Sequence, residues 1–301
     1  MIGKVTGRLA LAGAACVAYG FAEARAFRVR RVSVPVLPAG SEKLRVLHVS
    51  DVHLTRGQHA KHRFVSALAG LEPDLVVNTG DNIAHANALE PLLQAYGRLL
   101  DVPGVFVFGS NDYTAPKFTN PLSYLARSTS HHGLPEDREH LPTQELRAAL
   151  ASGGWQDINE QRATIEVRGV RLEFRGTDDP HLHHDDYAKV AGRPAKGTDL
   201  AIGVTHAPYA RVLDAMAVDG LPLLLAGHTH GGQVCLPWWG ALTTNCDLPP
   251  AQAKGLSRYH AGDHTSWLHV SAGVGTSPFA PYRFACPPEV TLLTLTPGPN
   301  G

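Results

Sequence analysis

With 301 residues, 44% of them hydrophobic, the chain is long enough to bury one large core. Its 27 basic and 27 acidic residues cancel, which excludes the broad positive field that steers proteins onto nucleic acid, and nucleic acid is not expected as a partner. Cys16, Cys235, Cys246 and Cys286 lack C-x-x-C spacing and argue against a zinc knuckle or redox pair, while 17 histidines invite a metal hypothesis.

Residues 1–43 read as an address and a linker. Lys4 and Arg8 precede an uncharged run from Leu9 to Ala22, short of the ~20 apolar residues of a spanning helix. A signal-peptide core fits it, with Ala22-Glu23-Ala24 or Ala24-Arg25-Ala26 as a cleavage site. An uncleaved membrane tether and a helix packed on the domain are the rival readings. Arg28, Arg30 and Arg31 suit anionic head groups, and Pro35 and Pro38 mark an extended lead into a domain spanning 44–297. The protein is therefore expected at a membrane or exported, with the cytoplasm as the alternative.

Leu44 to Val49 suits a buried strand and delivers Asp51 and His53, a carboxylate and an imidazole of the kind that binds first-row metals. An amphipathic helix over 57–69 follows, with Phe64, Val65 and Leu68 at helical spacing. Leu75-Val76-Val77 is a second buried strand ending in Gly80-Asp81, a helix over 88–100 returns the chain, and Val105 to Phe108 delivers Gly109-Ser110-Asn111-Asp112. Polar residues thus gather at the carboxyl edge of an open sheet, where sites are built.

The stretch 113–142 is rich in Pro, Ser, Thr and His without a period and reads as a lid or functional loop. Tyr113, Phe118 and Tyr124 within it suit an apolar moiety, whereas His131 and His132 read as solvated. A helix over 143–151 ends at Gly153-Gly154, and a hairpin pairs 163–167 with 170–174. His181, His183, His184, Asp185 and Asp186 resemble a metal cluster by composition, but turn residues explain much of that loop and it is not expected to be the primary site.

Leu200 to Val204 ends at His206, a helix over 209–217 follows, and 221–226 ends in Gly227-His228-Thr229-His230-Gly231-Gly232. Two histidines between glycines at a strand end are hard to read as core. The tail carries Gly273-Val274-Gly275, Arg283 as a candidate phosphate contact or salt bridge, and a last strand over 290–295.

Asp51-Val52-His53, Gly80-Asp81, Gly109-Ser110-Asn111-Asp112, His206 and Gly227-His228-Thr229-His230, in that order, resemble the blocks of the calcineurin-like metallophosphoesterases. Gly231-Gly232-Gln233-Val234 and the tail with Gly275-Thr276-Ser277 and Arg283 are most similar to the membrane-associated bacterial phosphodiesterase branch. The resemblance implies an α/β (α+β) four-layer fold, two packed mixed β-sheets flanked by helices. It also implies two transition metal ions, Mn, Fe or Zn, with Asp51, His53 and His230 on one, His206 and His228 on the other, and Asp81 bridging. Such a pair generates hydroxide and clamps a phosphoryl group for in-line attack.

The fourth block departs from the family's Gly-Asn-His-Asp/Glu. Without a gap, Ser110 takes the ligand position; with a shift of one residue, Asn111 supplies the amide oxygen. The family's histidine acid is missing either way, which leaves Asp112 or a lid histidine as its substitute. The expected activity is a phosphodiesterase or pyrophosphatase acting on a lipid- or nucleotide-linked phosphate ester, a small molecule or lipid head group, at or near a membrane. The alternative is a non-catalytic binding protein with a degraded fourth block.

Overall fold

Successive side chains of a strand face opposite ways, and in the central strands both ways are apolar. β2 (Leu44–Val49) sends Val46 to one core and Leu47 to another, and β3 (Leu75–Asn78) divides Val77 from Val76 in the same way. Strands of this kind need cover on both faces. A computed structural model describes residues 2–118 and 138–298 of the chain and supplies that cover as four layers.

The first sheet runs β1 (Arg28–Leu37), β14 (Glu289–Pro297), β2, β3, β4 (Gly104–Phe106), β5 (Trp155–Asp157). The second runs β12 (Gly255–Ala261), β13 (His264–Val270), β9 (Leu223–Ala226), β8 (Leu200–Val204), β7 (Val170–Gly176), β6 (Arg162–Val167). Both are mixed: β14 is antiparallel to β2, and β6 and β12 are antiparallel to their neighbours. Val46, Val77 and Val105 from the first sheet meet Phe174, Ile202 and Leu225 from the second in the central core.

Three helices, α2 (His59–Ser66), α3 (Leu89–Tyr96) and α5 (Thr143–Ser152), cover the outer face of the first sheet through Val65, Leu92, Tyr96 and Leu146. On the other side α6 (Ala210–Val218) lays Val212, Leu213 and Met216 over Ala201 and Leu224. The expected double-sheet α/β fold is therefore present.

The expected linker is corrected. Residues 28–37 form an edge strand in parallel register with β14 from Arg28↔Glu289 to Pro35↔Thr296, so the first sheet begins well before Leu44. Pro35 signals extended chain, and an edge strand tolerates it because one side of the strand needs no amide donor. Before β1 lies α1 (Ile2–Glu23), whose last turn docks on the tail: Arg283 donates its amide to the Gly20 carbonyl, and the Cys286 amide donates to Glu23. Among the described residues no helix is long and apolar enough to cross a membrane. All four cysteines are free thiols. Tyr124, His131 and His132 lie outside the described residues.

Candidate metal centre

The carboxyl ends of β2, β3, β4, β8 and β9 converge, bringing Asp51 and His53, Asp81, Ser110 to Asp112, His206, and His228 with His230 to one edge. Backbone bonds lock these ends together: the Asp51 amide donates to the Gly80 carbonyl, His53 to Asp81, and Gly227 to His206. Asp51, His53, Asp81, His228 and His230 all have left-handed backbone, with φ between 44 and 69°. In non-glycine residues that conformation costs roughly 1–3 kcal/mol and collects at functional sites. Here it turns each side chain back over its strand end. Gly80 permits a close crossing of the second and fourth blocks, since a Cβ on it would lie 2.4 Å from the Gly109 nitrogen.

Two triples of ligand atoms lie within 4.8 Å of one another, Asp51/His53/His230 and Asp51/Asp81/His206. His53 Nε2 stands 3.3 Å and His206 Nε2 3.6 Å from Asp81 Oδ2, and His230 Nε2 3.7 Å from Asp51 Oδ1. Second contacts set which nitrogen faces inward. His206 Nδ1 is 2.6 Å from the Thr79 carbonyl and His230 Nδ1 is 3.1 Å from that of Gly275, so each turns Nε2 to the carboxylates. Both ring nitrogens of His53 and Nε2 of His206 are buried without a hydrogen-bond partner. Such groups are costly to leave unpaired, and neutral imidazoles beside carboxylates are the donor set that a transition metal takes. His228 stands beside these triples, its ring 5.3 Å from His206 and its Nε2 3.2 Å from the Asn245 carbonyl.

The electrostatics agree with a cation-binding centre. Burial pushes His53 down to about 4 and His230 well below its usual value, so both rings are neutral donors. Burial would also lower His206, but the carboxylates of Asp81, Asp179 and Asp51 outweigh it and lift the ring to about 9. The carboxylates thus hold a proton where a cation would serve. Burial alone would raise Asp81; His206, His53 and two bonds from Asn111 hold it well below the carboxylate range.

Residues 44–232 match the family model for calcineurin-like phosphoesterases. The chain belongs to this family. It is thereby a metallophosphoesterase, a hydrolase of phosphoester bonds. Its relatives include the metallophosphoesterase YkuE of Bacillus subtilis (strain 168), 26% identical over 86% of this chain and 82% of that one. UDP-2,3-diacylglucosamine pyrophosphatase LpxG of Chlamydia trachomatis serovar D is 25% identical, covering 90% of each chain. Phosphodiesterase YaeI of Escherichia coli (strain K12) is 24% identical over 83% of this chain and 82% of its own.

In this metallophosphoesterase the unusual fourth block forms the short helix α4 (Ser110–Tyr113). Asn111, rather than Ser110, reaches Asp81, giving its amide N–H to Oδ1 at 2.7 Å and its side-chain amide to Oδ2 at 2.8 Å. The expectation that Asp112 replaces the family's proton donor meets a contrary geometry. Asp112 is fully buried, and its oxygens accept from the amides of Asp81, Asn82 and Gly109 and from the Asn82 side chain. It clamps the second block to the fourth and turns no oxygen to the cleft.

Arg283 is corrected as well. It is fully buried, donating to the carbonyls of Ala272, Gly273, Gly275, His230 and Cys286, so it shapes the glycine-rich turn and neither meets a phosphate nor forms a surface salt bridge. Buried Lys61 does similar work on the first block, donating to the carbonyls of Val52 and His53.

The His-rich loop contributes more than its turn composition suggests. The His181 ring packs 4.5 Å from that of His228, and its Nδ1 lies 3.0 Å from the Tyr209 hydroxyl. Asp179 is fully buried, and its Oδ2 has no hydrogen-bond partner. The available signal was position: this loop follows β7, a strand running parallel to β8. The other members face elsewhere, Asp185 pairing with Arg211 and the His184 ring packing on Tyr113. Tyr113 in turn donates to Asp178 at 2.7 Å, while Phe118 is exposed.

Proposed function

We propose that the protein is a two-metal phosphodiesterase or pyrophosphatase that acts on a lipid- or nucleotide-linked substrate at a membrane surface. The observation that carries the reading is the convergence of buried carboxylates and imidazoles, among them His53 and His206, whose inward nitrogens lack hydrogen-bond partners. In it, Asp51, His53 and His230 hold one ion, Asn111, His206 and His228 hold the other, and Asp81 serves both; Mn, Fe or Zn suits this nitrogen and oxygen set. Bound there, such ions would supply Lewis acidity toward a phosphoryl oxygen and lower the pKa of a water.

The chain's own residues keep the centre in shape. Thr79 and Gly275 hold the tautomers of His206 and His230 through their carbonyls, Asn111 orients the Asp81 carboxylate, and Asp112 fixes the turn beneath it. The relatives named a pyrophosphatase of a diacylated nucleotide sugar and a phosphodiesterase support the bond type and a lipid-bearing substrate.

Metal analysis of the purified full chain, joined to a panel of phosphomonoesters, diesters and pyrophosphates, tests the reading. Two transition metal ions per chain and preferential hydrolysis of diesters or pyrophosphates are expected. A metal-loaded protein inactive across the panel would put a binding protein in its place.

A further inference from the structure

Three uncharged stretches of the chain meet at Phe284. The runs 10–22, 233–246 and 271–282 contain no Asp, Glu, Lys or Arg. The Phe284 ring meets Tyr19 of α1 edge-on at 5.2 Å, its carbonyl accepts from the Cys235 amide at 2.8 Å, and its amide donates to the Gln233 carbonyl at 3.0 Å. Its neighbour Arg283 donates to the His230 carbonyl. The junction is therefore one residue removed from a contact to the metal centre.

From that junction a hairpin, β10 (Cys235–Leu236) and β11 (Gly240–Ala241), carries Trp238 and Trp239 at its tip, 104% and 83% exposed. Trp238 sits at φ 66°, a conformation that sterically penalises a bulky side chain. The tip thus holds strain and gains no packing for it. Two indoles present roughly 300–500 Å² of surface, as much as the largest apolar patch on a typical soluble monomer. Leu11 and Val17 along α1 are exposed as well.

We propose that the Trp238–Trp239 tip and the exposed stretch 11–19 of α1 form one membrane-docking surface, seated in the head-group layer of an anionic bilayer so that the metal centre faces lipid-linked substrate. This inference rests on the membrane-facing part of the proposed function. Indole rings prefer the level of the head groups. Exposed Arg25 and Arg28, which follow α1 directly, complement anionic lipid. Stable anchoring at an interface takes two signals, and α1, which falls short of a spanning helix, gains its second in the tryptophan tip.

The test uses the full chain, diluted from mild detergent onto phosphatidylcholine/phosphatidylglycerol vesicles whose acyl chains carry bromine. Trp155, buried, and Trp267, half-buried, remain in every variant and serve as the internal background. Strong quenching and a blue shift of emission are expected in the parent, both lost in W238S/W239S, whose vesicle-bound fraction should fall ~10-fold. W238F/W239F should keep most of the binding, which separates loss of the anchor from loss of the fold. Quenching equal in the parent and W238S/W239S would overturn the proposal, as would a solution dimer that W238S/W239S converts to monomer, which would assign the face to a second copy. Hydrolysis of soluble bis(p-nitrophenyl) phosphate is followed in parallel. Bromine quenching without hydrolysis would sink the enzymatic reading and leave the docking surface; hydrolysis without quenching would sink the docking surface alone.

Discussion

Asn111 holds both oxygens of Asp81, one through its backbone N–H at 2.7 Å and one through its side-chain amide at 2.8 Å. Ser110, which an ungapped match to the family pattern would place on the second ion, only accepts from that same amide at 3.3 Å. An amide can offer either a donor or an acceptor to one spot, whereas a neutral hydroxyl is a weak ligand. Asn111→Ala is therefore expected to weaken binding of the second ion by about 10–100-fold, with Ser110→Ala near the parent. Calorimetric metal titration of the two variants decides it; the opposite ranking would restore the ungapped reading.

Asp112 makes a different prediction, one of stability. Its carboxylate accepts four N–H donors in full burial. An amide at the same place has a single acceptor oxygen and turns an NH2 toward donors. Burial and then Asp81 push the Asp112 carboxyl up to about 7, so it is above that pH that its bonds are those of a charged acceptor, about 1.5–3 kcal/mol each, and that the loss of two in Asp112→Asn is expected to cost roughly 3–6 kcal/mol. Urea midpoints measure it. A variant as stable as the parent would mean that the clamp is dispensable.

Much of this centre was legible in the chain because metal ligands at strand ends leave a short-range signature: an apolar run, then within a few residues a carboxylate or imidazole. Asp51, Asp81, His206 and His230 carry that signature, and the structure brings them together. Asp179 and His181 do not, since their place beside His206 and His228 depends on the β7–β8 pairing rather than on local pattern. Arg283 was misread for a related reason: an arginine near a site suggests phosphate, and only the tertiary path of the glycine-rich turn shows both its terminal nitrogens already taken by carbonyls. The edge strand β1 was missed because Pro35 and three arginines mask a Val-rich alternation whose partner, β14, lies at the other end of the chain.

Behind the centre, His48 Nδ1 lies 2.9 Å from His269 Nδ1 and His48 Nε2 lies 3.0 Å from the Thr79 hydroxyl. Burial, then Arg30, pushes His269 down to about 3, and burial, then His269, pushes His48 well below 6.5. Both rings are neutral when folded, while the unfolded chain takes up protons below about 6.5. Their contribution is thus complete above pH ~6.5 and is lost as the pH falls toward ~3, by about 1.4 kcal/mol per unit for each proton. The double variant His48→Gln/His269→Gln should flatten the decline in unfolding free energy between pH 6.5 and 4.5. An unchanged slope would clear this pair of any role in acid lability.

Proton supply to the leaving group is the remaining question at the fourth block. The family's histidine is absent in either register: without a gap Asn111 stands in its place, and after a shift of one residue Asp112 does, whose oxygens are committed to N–H donors. A general acid contributes about 10²–10⁴-fold, most where the departing alkoxide is basic. Hydrolysis by the parent is accordingly expected to slow steeply as the leaving-group pKa rises, with aryl diesters and pyrophosphates far ahead of alkyl esters. Ser110→Asn with Asn111→His, which restores the family pattern, should raise the alkyl rates selectively and flatten the dependence. The nearest other imidazole on the His228 side is His181, with its ring 4.5 Å away. His181→Gln therefore separates the two origins: if His181 already donates the proton, the parent slope is shallow, steepens in His181→Gln, and barely responds to the double change. Plots of log kcat against leaving-group pKa for the three proteins, at saturating metal, carry the test. A shallow parent slope that neither variant alters would place proton transfer outside the rate-limiting step and end this account of the block.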